Sequence, residues 1–128
     1  MIRGIGFDLM HNERIGVLAP NWDDPFFRKT FSEKEYAMGV SAPDPVKWFS
    51  QRFAAKEAVF KALGVTCETI LWPDIEILSD SIGQPVVYLH GRVAAHPAAQ
   101  NAKFHITISE DMGLSVAMAV CETIDEAK

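Results

Sequence analysis

Cysteine is scarce in this 128-residue chain: only Cys67 and Cys121 occur, far apart and in no C-x-x-C arrangement. That excludes a disulfide-stapled scaffold and a cysteine-rich metal site, and it reads as two reduced, buried thiols. Positive charge is scarce too. Twelve Lys and Arg stand against 17 Asp and Glu, for a net charge of −5. Nucleic acid is therefore not expected as the main partner, because neutralising phosphates needs a basic surface. No apolar run reaches the length of a membrane span, so no membrane role is expected. The opening "MIRGIGFDLMHNER" has an early Asp and no small-residue cleavage pattern, which is not a signal peptide. A cytoplasmic protein is expected. Repeats and low-complexity segments are also absent. What remains is 48% hydrophobic and 23% charged, the composition of one soluble domain over residues 1–128. Such a chain can bury a core without a staple.

The pattern along the chain separates helices from strands. Residues 2–9, "IRGIGFDL", alternate, with Ile5, Phe7 and Leu9 on one face and Gly4, Gly6 and Asp8 on the other. Two glycines in a strand mark close approach of another backbone. "HNERIGVL" reads as a short helix with Asn12 as cap. Asp24-Pro25 is a helix start. Ser32 and Glu35 form a capping box, with Gly39 as a stop. Asp44 and Pro45 open the longest helix, which runs to Leu63 and ends at Gly64. The second half is strand-rich: "DIEIL", "VVYLH", "KFHITIS" and "LSVAMAVCE", with a Pro97-broken helix in "GRVAAHPAAQN". Helices first and strands later predict an α+β domain on one largely antiparallel, curved sheet.

Three places carry candidate chemistry. Glu57 and Lys61 sit one turn apart on the long helix, beside Phe53 and Phe60. Such a pair is ordinarily a surface i,i+4 contact worth a few tenths of a kcal/mol. Asp8 is ordinarily a strand-end residue that bonds nearby backbone. If the helix crosses the strand, however, Asp8 and Glu57 converge. Two carboxylates with open positions suit Mg²⁺, which keeps waters and takes phosphate oxygens. Lys61 would then lie near a phosphate or a nucleophile. On "FHITIS", His105, Thr107 and Ser109 share one face. They form either a solvated sheet face or an anion-binding row.

Together these blocks resemble one family. "GIGFDLMHNERI", "RFAAKEAVFKALG" and "FHITISEDMGLSVAMAV" are similar, in order, to the blocks of the holo-acyl-carrier-protein synthases. These are the small 4′-phosphopantetheinyl transferases. The resemblance implies that family's fold, with N-terminal helices packed on a mostly antiparallel sheet. It implies transfer of the phosphopantetheine arm of coenzyme A to a serine of an apo acyl carrier protein, with Mg²⁺ as cofactor and 3′,5′-ADP released. Carried over by position, Asp8 and Glu57 would hold the metal, and Lys61 would lie at the reacting phosphate. Arg52, Lys61, His105, Thr107 and Ser109 would contact coenzyme A, and Arg14 would dock the carrier. A homotrimer is implied, each active site lying between two subunits. The chain departs from the family pattern at Phe7, Val65, Gln84 and Glu110. A non-catalytic coenzyme A or nucleotide binder of the same fold is the alternative. A third possibility is an interaction protein in which Glu57–Lys61 is only a helix-face pair. The carrier, whether for fatty acids, polyketides or another product, stays open.

Overall fold

The computed structural model describes residues 1–66, 68 and 70–124. The chain begins with strand β1 (Ile2–His11) and three short helices, α1 (Glu13–Gly16), α2 (Pro25–Thr30) and α3 (Glu33–Val40). The long helix α4 (Pro45–Leu63) follows. Strands β2 (Ile75–Ser79) and β3 (Pro85–Leu89), helix α5 (Gly91–Ala95), and strands β4 (Ala102–Asp111) and β5 (Leu114–Thr123) complete it. The architecture is α+β, as expected.

The strands form two antiparallel sheets among the described residues, where one was expected. One has the order β1-β5-β4; the other is the hairpin β2-β3. Periodicity locates strands but says nothing of their partners. Here β3 lies beside β4 without joining it in a hydrogen-bonded ladder.

Helix α4 lies across the three-stranded sheet and also touches β2. Small residues on both surfaces allow this. Ala54, Ala55, Ala58 and Ala62 of α4 are buried, as are Ala117 and Ala119 of β5. The two strand glycines provide the closest approach: a Cβ added at Gly6 would lie 1.8 Å from the Ala58 carbonyl oxygen, and one at Gly4 2.1 Å from that of Ala62. No other residue fits there.

The local signals for helices mostly act as expected. Asp24 accepts from the Phe26 N–H, and Asp44 from the Lys47 N–H. Ser32 and Glu35 form the full capping box, and Gly64 ends α4 at φ 73°. Two expectations fail. Gly39 lies within α3, where its missing side chain makes room for the Phe49 ring. Asn12 makes no side-chain cap; it donates to Glu110 and accepts from the buried Ser115 hydroxyl, tying α1 to the β4–β5 hairpin. Around the first half of α4, Phe27, Phe31 and Phe49 pack ring on ring, with centroids 4.8–4.9 Å from Phe49. Cys121 is a free, buried thiol; Cys67 lies outside the described residues.

Candidate active site

Asp8 pairs with Ala117 across the sheet, and Ala117 is buried against α4. Asp8 therefore faces the helix, as its glycine neighbours require. Lys61 meets it there: its Nζ lies 2.9 Å from Asp8 Oδ1 and 3.0 Å from the Phe7 carbonyl oxygen. Glu57, one turn earlier, comes within hydrogen-bonding reach of Asp8. Burial, followed by the charge and hydrogen bond of Asp8, pushes the Glu57 carboxyl up to about 7, against the opposing pull of Lys61 and Arg14. The hydrogen bond to Asp8 raises Lys61. The predicted convergence of Asp8, Glu57 and Lys61 is thus present, and Arg14 lies within electrostatic range of it.

Chemically this is a carboxylate pair whose mutual repulsion is relieved by one proton and one ammonium. A divalent cation relieves the same repulsion. The donor set fits Mg²⁺: two hard oxygen ligands with the remaining positions left to water and phosphate. No cluster of three or more His, Cys, Asp or Glu suited to a metal occurs among the described residues.

Other predicted residues stand elsewhere. His105, Thr107 and Ser109 pair with Val120, Met118 and Val116, on the sheet face turned away from α4. Their strand is separated from β1 by β5. Within one chain they do not join Asp8 and Glu57. His105 Nε2 sits 2.9 Å from Glu122 Oε1, and that bond holds the Glu122 carboxyl below its ordinary range. Arg52 donates to Ser79 Oγ at 2.8 Å and lies over the Trp48 ring at 4.8 Å. Among the described residues its buried Nε has no partner, and burial lowers its pKa. Arg52 and Thr107 share a cleft of ≈ 490 Å³ with Gln51, Gly83 and Gln84. The site residues thus divide into an acid–lysine cluster on one face of the sheet and a polar surface at its other edge.

Arg14 lines a depression beside the cluster with His11, Glu13 and the exposed Val17. Arg28 stacks on Tyr36 at 4.0 Å, which accounts for its placement without a partner protein.

Sequence reasoning missed Lys56. It is fully buried beside Glu57 and forms a 2.7 Å ion pair with Glu35, also fully buried. Glu35 further accepts from the Ser32 and Ile77 N–H groups, each at 2.8 Å. Lys56 donates to the Trp72 carbonyl at 3.0 Å and to that of Ile75. The available signal was a lysine set among Ala54, Ala55 and Ala58. The capping box explained Glu35 well enough to hide its second role.

The family model of the 4′-phosphopantetheinyl transferase superfamily matches residues 4–119. An α+β transferase is therefore the class that fold and site define, and the chain belongs to this superfamily. A holo-[acyl-carrier-protein] synthase of Magnetococcus marinus is 39% identical over 131 residues, covering 95% of this chain and 94% of its own. The crystal structure of the holo-[acyl-carrier-protein] synthase from Neisseria meningitidis superposes with TM-score 0.84 at 27% identity, covering 95% of this chain and 99% of that one. A Bacillus anthracis holo-(acyl-carrier-protein) synthase in complex with CoA (3′,5′-ADP) superposes with TM-score 0.79 at 28% identity, covering 97% and 99%. Within the superfamily the chain stands with the holo-[acyl-carrier-protein] synthases.

Proposed function

We propose that this chain transfers the 4′-phosphopantetheine arm of coenzyme A to a serine of an apo acyl carrier protein, with Mg²⁺, releasing 3′,5′-ADP. The observation that carries the reading is the convergence of Asp8, Glu57 and Lys61 from two elements far apart in sequence. Coenzyme A is the co-substrate, in line with the B. anthracis relative bound to it.

Asp8 and Glu57 would hold the Mg²⁺. Bound there, the ion would polarise pyrophosphate oxygens and offset the charge that builds on the leaving group. Lys61 adds a second positive charge. Its ammonium has three N–H bonds, of which Asp8 and the Phe7 carbonyl take two. The third would donate to a substrate phosphate oxygen. Glu57 or a water held by the ion would accept the serine proton. Arg14 and Val17 form the carrier-docking surface, a cation beside an apolar contact, suited to an acidic amphipathic helix.

The protein acts as one domain over residues 1–128, as a homotrimer in the cytoplasm. Support for the trimer is twofold. The sheet face turned away from α4 exposes Ile5, Phe7, Leu9 and Met118 by 63%, 54%, 49% and 41%. Such an apolar patch calls for a partner surface. The row His105, Thr107, Ser109 shares that face, and in the trimer that the family resemblance implies, with each site between two subunits, it would serve a neighbouring copy's Asp8 and Glu57. Those three residues, with Arg52, then contact coenzyme A phosphates. The cytoplasm is where a free thiol such as Cys121 stays reduced.

The test is a mass shift. The protein is mixed with Mg²⁺, coenzyme A and an apo carrier, and the carrier is weighed. The expected result is a gain of one phosphopantetheine group, absent with Asp8→Ala and Glu57→Ala. Tight coenzyme A binding without any gain across several carriers would establish the non-catalytic binder instead.

A further inference from the structure

Helix α4 carries two groups of the reacting cluster, so its rotation about its own axis sets where they point. Two contacts on opposite sides of the helix bear on that rotation, beside the apolar packing of Phe49 and Val59. On one side Ala58 and Ala62 rest on Gly6 and Gly4. This contact is smooth: glycine against alanine offers no side chain to resist turning or sliding. On the other side stands Lys56. At 100° per residue its side chain lies about 140° around the helix from Ala58 and Ala62 taken together, roughly opposite the glycines. There it is held by three groups at once. Glu35 comes from α3, the Ile75 carbonyl from β2, and the Trp72 carbonyl from the turn before β2. Glu35 is itself fixed by the Ser32 and Ile77 N–H groups.

A buried pair of this kind is a poor source of stability, since desolvating both charges cancels most of their attraction. Hydrophobic side chains of similar size would fill the space as well. What they would not supply is direction. Each bond at Lys56 and Glu35 has a preferred distance and angle, whereas apolar contacts tolerate sliding.

We propose that the buried Lys56–Glu35 pair is a positioning device, which fixes the rotation of α4 so that Glu57 and Lys61 meet Asp8. The inference rests on the reading of Asp8, Glu57 and Lys61 as the reacting cluster. The lever is short. A carboxylate about 6 Å from the helix axis moves about 1 Å for every 10° of rotation. A misplacement of about 1 Å at a reacting centre costs on the order of a hundredfold in rate.

The experiment compares native protein, Asp8→Ala, the double variant Glu35→Leu/Lys56→Met, and Glu35→Gln. Four quantities are read: melting temperature, the melting shift produced by Mg²⁺, carrier turnover at saturating coenzyme A and carrier, and the KM for coenzyme A. For the double variant the expected melting temperature is at or above the native one. Its turnover is expected to fall at least tenfold and its Mg²⁺ shift to shrink, with a smaller change in the KM for coenzyme A, because the His105, Thr107 and Ser109 row on β4 stays in place while α4 and its Arg52 turn. Equal or greater stability with lost turnover is something a merely structural pair would not produce. Native turnover and a native Mg²⁺ shift in the double variant overturn the proposal.

Glu35→Gln provides the second arm, should the double variant fail to fold. It keeps the shape and one acceptor oxygen while removing the charge that orients Lys56. The same split, a larger loss in turnover than in KM, is expected; native turnover in Glu35→Gln overturns the proposal as well. Asp8→Ala separates this inference from the reading beneath it. If Asp8→Ala turns over like native, the reacting cluster has been misplaced. If Asp8→Ala is inactive while the Glu35 and Lys56 variants are native-like, only the positioning role falls.

Discussion

Consider replacing Gly6 by alanine. The new methyl group would sit 1.8 Å from the Ala58 carbonyl oxygen, 2.8 Å from the Ala58 carbonyl carbon and 2.9 Å from the Ala62 nitrogen. All three atoms are helix backbone, so no side chain can swing aside. Reaching ordinary van der Waals contact at 3.4 Å requires α4 to back away from β1 by about 1.6 Å. Overpacking of a rigid interface costs about 1–3 kcal/mol, and a collision with backbone belongs at the upper end. Alanine stiffens the unfolded chain and returns about 0.4–1 kcal/mol. The net loss is about 2–3 kcal/mol. For a chain of this length that lowers the melting temperature by about 8–10 °C at fixed protein concentration. Activity should fall further than stability, because Ala58 neighbours Glu57 and the same displacement draws Glu57 and Lys61 away from Asp8. Gly16→Ala is the control. Its nearest new contact would be Val46 Cγ1 at 3.9 Å, so it keeps the unfolded-chain gain without the clash and should melt about 1–4 °C above native. The assay is a melting scan with carrier turnover measured alongside. A Gly6→Ala protein that melts and turns over like native would refute the close approach of helix and strand.

Other predictions follow from the same geometry. The Glu57 carboxyl is raised from 4.5 to about 7, so its contribution to stability is fully present below pH 4.5 and lost as pH rises through 7. The group is half-buried, so solvent screening reduces that contribution to about 1 kcal/mol. Melting temperature of the ligand-free protein should decline between about pH 5 and 8, and Glu57→Gln should flatten the slope; a native slope in that variant would assign the titration elsewhere. His105→Ala should raise the KM for coenzyme A several-fold and spare turnover at saturation, and an unchanged KM would take His105 out of the cofactor surface. Phe7→Asp places a charge on the exposed apolar face; it should yield monomers by light scattering and abolish turnover. Active monomers would show that one chain completes its own site.

Much of the site was legible because its local signals are strong and short-ranged. Alternation put Asp8 on the glycine face of β1, and that face is the one against α4. Capping chemistry located α2, α3 and α4 through Asp24, Ser32, Glu35 and Asp44, each of which bonds an N–H within three residues of itself. The i,i+4 spacing placed Glu57 and Lys61 together. Each of these follows from backbone geometry over a few residues, and such geometry is written directly into the order of side chains.

What lay beyond the sequence depends on contacts between distant segments. Whether β3 joins β4 is a matter of pairing, and strand periodicity is the same for any partner. Asn12 reads as a helix cap until the buried Ser115 and Glu110 claim its side chain. Lys56 passes unremarked in the sequence, since one helix turn cannot reveal that α3 and β2 close over it. The separation of His105, Thr107 and Ser109 from Asp8 has the same origin: alternation assigns each residue to a face of its own strand, but only the sheet order β1-β5-β4 decides which faces coincide. Local sequence therefore determined the elements and the faces on which Asp8, Glu57 and Lys61 lie. The tertiary structure decided which of them meet within one chain and what holds α4 at its angle, because those depend on packing between segments that the chain order leaves far apart.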